Sequence, residues 1–205
     1  MNIFSKLLDL ATGKPLAEED HGRATRLSLV VSALLASLAL ASVWGLAAGS
    51  TDSRLLLTNW YKVPGIVLLS ALAALPAGLL TWKLAGGPGR ATDLVTSFVG
   101  GVLAGTLVLA VAAPIVMLYY GSSQIGGPLL GQGSTFVALA VGGLIFARGV
   151  LGRAAGTRGR RVAPALVLLV AQIACIVQLI ALASPILPER TMWDRGIDKL
   201  TQRAR

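Results

Sequence analysis

The sequence predicts an all-α fold: a polytopic transmembrane bundle of five helices, with a short interfacial helix at each terminus. Hydrophobic residues make up 55% of the 205 residues and charged residues only 13%, whereas soluble domains carry roughly 25% charged residues. No Asp, Glu, Lys, Arg or His occurs in four long stretches: Leu27–Thr51, Val63–Trp82, Leu94–Ala147 and Val162–Pro188. A soluble helix needs charged or polar residues along its exposed face, so these stretches indicate an integral membrane protein.

The first 26 residues form a charged N-terminal segment that precedes the first apolar stretch. Within it, Ile3, Phe4, Leu7 and Leu8 recur at helical spacing, which predicts a short amphipathic helix over residues 2–11. Such a helix either lies in the membrane interface or packs on a protein partner. The pattern alone leaves both possibilities open.

Residues 27–188 form the predicted transmembrane domain. The uncharged stretch from Leu94 to Ala147 is too long for one helix that crosses a ~30 Å hydrocarbon core, and a glycine-rich connector divides it in two. The five predicted spans are therefore about 27–48, 63–82, 94–120, 134–151 and 162–187. Residues 189–205 form an amphipathic tail, for which we expect a second surface helix.

The Lys and Arg residues near the spans predict the orientation. The second and fourth connectors together carry seven of them, whereas the first and third carry two. Because Lys and Arg are enriched in cytoplasmic loops, we expect a cytoplasmic N-terminus, in what is best interpreted as a bacterial cytoplasmic membrane. The tail carries five more basic residues, which this count would place on the opposite side.

Four short segments carry a resemblance to a known family: Val43–Gly49, Tyr61–Pro64, Ala113–Tyr120 and Val170–Ile173. Together they resemble a family of bacterial five-helix integral membrane proteins without a known activity, whose architecture is similar to that of Yip1-type five-span proteins. The resemblance covers about residues 40–188 and implies a five-span fold. The chain departs from the pattern in the fifth span, where Leu179 and Ile180 follow Gln178 and no arginine is present.

The composition leaves little room for catalytic or cofactor chemistry. The chain has a single histidine, His21, and a single cysteine, Cys175, whereas a structural zinc site takes about four such ligands. No phosphate-binding glycine loop or hydrolase motif occurs. We therefore predict no catalytic residue, no metal site and no cofactor, and we interpret the chain as not being an enzyme. The basic residues flank apolar spans, which favours contact with membrane lipids, anionic ones in particular, over nucleic acid.

Small residues at four-residue spacing predict faces where helices approach closely. They occur in the third and fourth spans, at Gly100, Gly101, Ala104, Gly105, Ala138, Gly142, Gly143 and Ala147. The pattern predicts helix packing, either within the chain or between subunits.

Two further groups are candidates for contacts. Gln172 and Gln178 are the intramembrane polar residues of the fifth span; each either hydrogen-bonds a neighbouring helix or lines a polar path. The fourth connector carries arginines and no acid, and we expect it to meet anionic lipid or an acidic partner. The arginines in question are Arg153, Arg158, Arg160 and Arg161.

Three functions remain open. The first is a non-enzymatic subunit that assembles or stabilises a membrane protein complex, packing against other subunits or against itself as a homo-oligomer. The second is a small oligomeric channel or transporter for an uncharged or small solute. The third is a membrane enzyme acting on lipid head groups through Asp52, Asp93 or the connector arginines. The sequence favours them in that order, because no charged residue lies in the middle of a span, Arg148 being near the end of the fourth, and no catalytic spacing is present.

Overall fold

The computed structural model describes residues 3–14, 22–86, 91–123, 125–152 and 158–187. Within these ranges the chain is helical and contains no β-strand. The helices are α1 (Ile3–Ala11), α2 (Arg23–Ala48), α3 (Ser53–Leu84), α4 (Ala91–Ser122), α5 (Gly126–Leu151) and α6 (Arg158–Ala183). The last five are long and apolar enough to cross a membrane. The predicted all-α bundle of five spans is confirmed, and the chain is an integral membrane protein.

The helices extend beyond the predicted spans at several ends. α5 begins at Gly126, eight residues before the predicted start of the fourth span, so most of the glycine-rich connector is helical. Pro128 lies in the first turn of α5, where a missing N–H costs little. α6 ends at Ala183, and residues 184–187 continue without helical structure. The predicted surface helix of the tail lies outside the described residues.

The five long helices pack in the spatial order α6, α3, α2, α4, α5. Extensive contacts join α6 to α3, α3 to α2, α2 to α4 and α4 to α5, whereas α5 and α6 touch only sparsely. No more than about six residues separate each long helix from the next, so successive long helices run in opposite directions. One end of the bundle therefore holds the start of α2 and the other holds the α2–α3 turn at residues 49–52. We call these the near end and the far end.

Helix α1 packs on the near half of the bundle through one face. Leu10 is buried among Leu29 and Ala33 of α2 and Val99 and Leu103 of α4. The other side of α1 leaves Ile3, Phe4 and Leu8 about half exposed or more. One apolar side of α1 therefore packs on the bundle, and the other side remains exposed.

An ion pair ties α2 to α4 at the near end. Arg26, only 7% exposed, donates from Nη1 to Asp93 Oδ1 at 2.6 Å and to Thr92 Oγ1 at 3.2 Å. A buried guanidinium needs such partners because an unpaired charge is costly to remove from water. The pair therefore joins two helices that are not consecutive in the chain.

The turn between α2 and α3 is closed by a helix cap. Asp52 Oδ1 accepts hydrogen bonds from the backbone N–H groups of Arg54 at 2.8 Å and Leu55 at 3.4 Å. A side-chain oxygen at this position satisfies donors that have no partner within the helix. Asp52 and Asp93 are the two acidic residues considered above for a membrane enzyme that acts on lipid head groups. Both make structural contacts here.

We predict that Asp93→Asn lowers the free energy of unfolding in detergent by about 1–3 kcal/mol, since it leaves the Arg26 charge buried without a counterion. The measurement is chemical or thermal unfolding followed by circular dichroism. Asp52→Asn is the matched control, because asparagine caps a helix about as well as aspartate. Equal losses in the two variants would contradict the role given to the ion pair.

Candidate functional site

The glycines of the third and fourth predicted spans bring the backbones of α4 and α5 together within one chain. A Cβ added at Gly101 would lie 2.6 Å from the carbonyl oxygen of Gly142, and one at Gly105 would lie 2.9 Å from that of Ala138. The contact is reciprocal, because a Cβ at Gly142 would lie 2.7 Å from the oxygen of Gly101. No side chain larger than hydrogen fits at these three glycines without moving a helix.

The other small residues of this set face different neighbours. A Cβ at Gly100 would lie 2.8 Å from the carbonyl oxygen of Leu10 in α1, so this glycine receives the N-terminal helix. Gly143 faces Leu169 of α6 at 3.6 Å, an ordinary contact distance. Ala104 is buried and Ala147 half-buried. The structure therefore divides the predicted small-residue faces among several contacts, the largest being between α4 and α5.

The two glutamines of the fifth span lie in opposite environments. Gln172 is 7% exposed and its Nε2 donates to Ser70 Oγ of α3 at 3.0 Å. Its Oε1 is buried and has no hydrogen-bond partner among the described residues. Gln178 is exposed, being turned by about 120° around α6 from Gln172. One amide joins two helices of the chain, and the other points away from them.

Polar side chains at the far end hold residues 184–187 against α3. Asn59, which is fully buried, donates from Nδ2 to the carbonyl oxygen of Ile186 at 2.6 Å. Lys62 Nζ donates to the carbonyl oxygen of Pro185 at 3.4 Å. Nearby, Trp44 Nε1 of α2 donates to Ser134 Oγ of α5 at 3.0 Å. Sequence reasoning missed this clamp.

A cavity of about 290 Å³ lies between α3, α4, α5 and α6. Its wall is almost entirely apolar. It runs along α5 from Gly131, towards the far end, to Phe146, towards the near end. Gln172 is one of its few polar lining residues, and Ile186 and Leu187 lie at its far end. Sequence reasoning missed the cavity, because it arises from the sparse contact between α5 and α6.

The side chains of the four connector arginines are not among those that the structure describes. Arg153 lies outside the described residues. Arg158, Arg160 and Arg161 belong to the first turn of α6, and their side chains also lie outside the description. The expected contact of these four residues with anionic lipid or an acidic partner stays a prediction. In the described part of the chain, no group of three or more His, Cys, Asp or Glu residues could hold a metal ion.

Comparisons with protein-family models, with curated proteins and with solved structures find no match to this chain. The resemblance to five-helix bacterial membrane proteins therefore stays a prediction.

We predict that Gly105→Leu destabilises the chain itself, because the added side chain must enter the space occupied by Ala138 and Gly142 of α5. Overpacking of this kind costs about 1–3 kcal/mol. The measurement is the unfolding midpoint of the purified protein in detergent. The control is Gly121→Leu on the same helix, where an added Cβ meets no atom within 4 Å. A variant that keeps its midpoint and loses only an association would show that the face packs between chains.

Proposed function

We propose that this chain is a non-enzymatic integral membrane subunit that assembles or stabilises a membrane protein complex through the outer face of α6. The observation that carries the proposal is the exposed amide of Gln178 on an apolar transmembrane helix. The partner is a transmembrane helix of another subunit, either a second copy of this chain or a different membrane protein.

Helix α6 is peripheral in the bundle, which leaves its outer face available. Among residues 162–183, the buried side chains are those of Pro164, Leu168 and Gln172. They recur at four-residue spacing on the side that meets α3. Of the five spans, α6 buries the smallest share of its residues. Most of its surface is therefore offered to lipid or to another protein.

The outer face of α6 has the composition of a helix-packing surface. Ala174 and Ala181 are exposed, and at 100° per residue they lie on the same side of the helix as Gln178. Small residues allow a second helix to approach closely, and an amide gains about 0.6–2 kcal/mol by hydrogen bonding across such an interface. Left facing lipid, the same amide would have no partner in the hydrocarbon. A neighbouring helix satisfies both features.

The alternative of a small channel or transporter has less support. The cavity offers a solute an almost entirely apolar wall, and hydration of an uncharged polar solute would be lost in it. Along the described spans, the charged side chains lie towards the helix ends. The geometry therefore favours packing over conduction.

We further propose that the near end faces the cytoplasm of a bacterial cell. Lys83 and Arg148 lie at this end, and Arg90 and the arginine-rich connector follow them along the chain. Towards the far end, the basic residues of the described helices are Arg54 and Lys62, both in the first part of α3. The difference has the sign expected for cytoplasmic loops, and it would bring Arg153, Arg158, Arg160 and Arg161 to an anionic lipid surface.

We predict that Gln178→Leu weakens association without affecting folding. Loss of one interhelical hydrogen bond of about 0.6–2 kcal/mol weakens binding by about 3- to 30-fold. The measurement is recovery of one tagged copy, or of accompanying membrane proteins, with a second, differently tagged copy in mild detergent. Ile173→Leu, an exposed position on another side of α6, is the control. Unchanged recovery for Gln178→Leu would remove the support for this interface.

The orientation is tested by labelling cysteines from outside intact cells in a Cys175→Ser background. We predict that a probe at Ser123 reacts with a membrane-impermeant maleimide and that one at Thr157 does not. Disruption of the cells before labelling should expose both sites. The reverse pattern in intact cells would place the near end outside.

A further inference from the structure

The cavity between α3, α4, α5 and α6 is lined on two of its sides by α5 and α6. These two helices contact one another only sparsely, as at Gly143 and Leu169, which leaves an opening between them. Both helices belong to the membrane-spanning set. The molecules that can reach this opening are therefore those dissolved in, or forming, the bilayer.

The residues that line the cavity favour a hydrocarbon ligand. They include Phe98, Leu109, Leu139, Phe146 and Ile176, whose apolar atoms gain dispersion contacts when another apolar group packs against them. An apolar cavity of about 150 Å³ binds a molecule the size of benzene, so a cavity of about 290 Å³ suits a longer apolar group.

The shape of the cavity suits a chain. Its wall follows α5 from Gly131 to Phe146, which is about 22 Å at the helical rise of 1.5 Å per residue. A single leaflet contributes about 15 Å of a ~30 Å hydrocarbon core. The cavity is therefore long enough to take a chain from one leaflet and extend it past the midplane.

A positive charge lies beside the far end of the cavity. Lys62 precedes the lining residue Val63, and its ammonium bonds to Pro185, which precedes the lining residue Ile186. A lipid phosphate is attracted to such a group at the membrane surface. Charge and shape together place a head group at this end and a chain inside.

We propose that this cavity binds one acyl chain of a bilayer glycerophospholipid, which enters between α5 and α6 with its phosphate near Lys62. Gly143 lines the cavity between its far end and Phe146. Because glycine has no side chain, this position leaves room for the inner part of the acyl chain. This inference concerns a different surface from the outer face of α6, so either can fail without the other.

The test uses phosphatidylcholine vesicles in which one acyl chain carries a photoactivatable diazirine near its end. After reconstitution and illumination, labelled residues are identified by tandem mass spectrometry. We expect label on Phe146, which is 3% exposed and lines the cavity, as well as on Leu144, which is 69% exposed on the outside of the same helix.

Gly143→Leu should abolish labelling of Phe146 and preserve that of Leu144. A Cβ at Gly143 meets only the Leu169 side chain, at 3.6 Å or more, so the variant fills the cavity without striking a backbone. Gly133→Leu is the matched control on α5, since an added Cβ there meets nothing within 4 Å, and it should keep both labels. Gly143→Ala, the smaller change, should reduce the Phe146 label and carries the test if the leucine variant does not fold. Label on Leu144 without label on Phe146 in the unchanged chain, or equal Phe146 labelling in the Gly143 and Gly133 variants, would overturn the proposal.

Discussion

The close backbone contact between α4 and α5 is the interaction on which the rest of the arrangement depends. In a bilayer, lipid is as apolar as the helix surfaces, so helices associate through close packing and hydrogen bonds. Gly101, Gly105 and Gly142 provide that packing and hold α5 on α4. Gln172 and Ser70 hold α6 on α3 in the other half of the bundle. α2 contacts both α3 and α4, and the two outer helices are left apart.

The separation of α5 from α6 links the architecture to both proposals. It opens an apolar cavity along α5, for which bilayer hydrocarbon is the available filling. It also leaves α6 attached through one face, with Gln178 and its neighbouring alanines on the outside. A bundle with α6 packed evenly against α5 would offer neither the cavity nor so large an outer surface.

The sequence predicts the fold class well because charge is excluded from long stretches, and that signal is local. It predicts the existence of small-residue faces for the same reason. It does not predict which helix each face meets: Gly100 and Gly101 are adjacent, yet one receives α1 and the other α5. Arg26 and Asp93 are 67 residues apart, and Asn59 bonds a residue 127 positions away. Such pairs, and a cavity formed by helix divergence, depend on tertiary arrangement and leave no local pattern.

The most direct measurement is disulfide formation between α4 and α5 in native membranes. A Cβ at Gly149 lies 3.1 Å from Ser97 Cβ, slightly below the roughly 3.5–4.5 Å that separates these atoms in disulfides. In a Cys175→Ser background, the pair Ser97→Cys and Gly149→Cys should form a disulfide within one chain on mild oxidation, so that the product migrates as a monomer. The single-cysteine variants are the controls. A cross-linked dimer that requires both cysteines, or the absence of any disulfide, would contradict an α4–α5 contact made within a single chain.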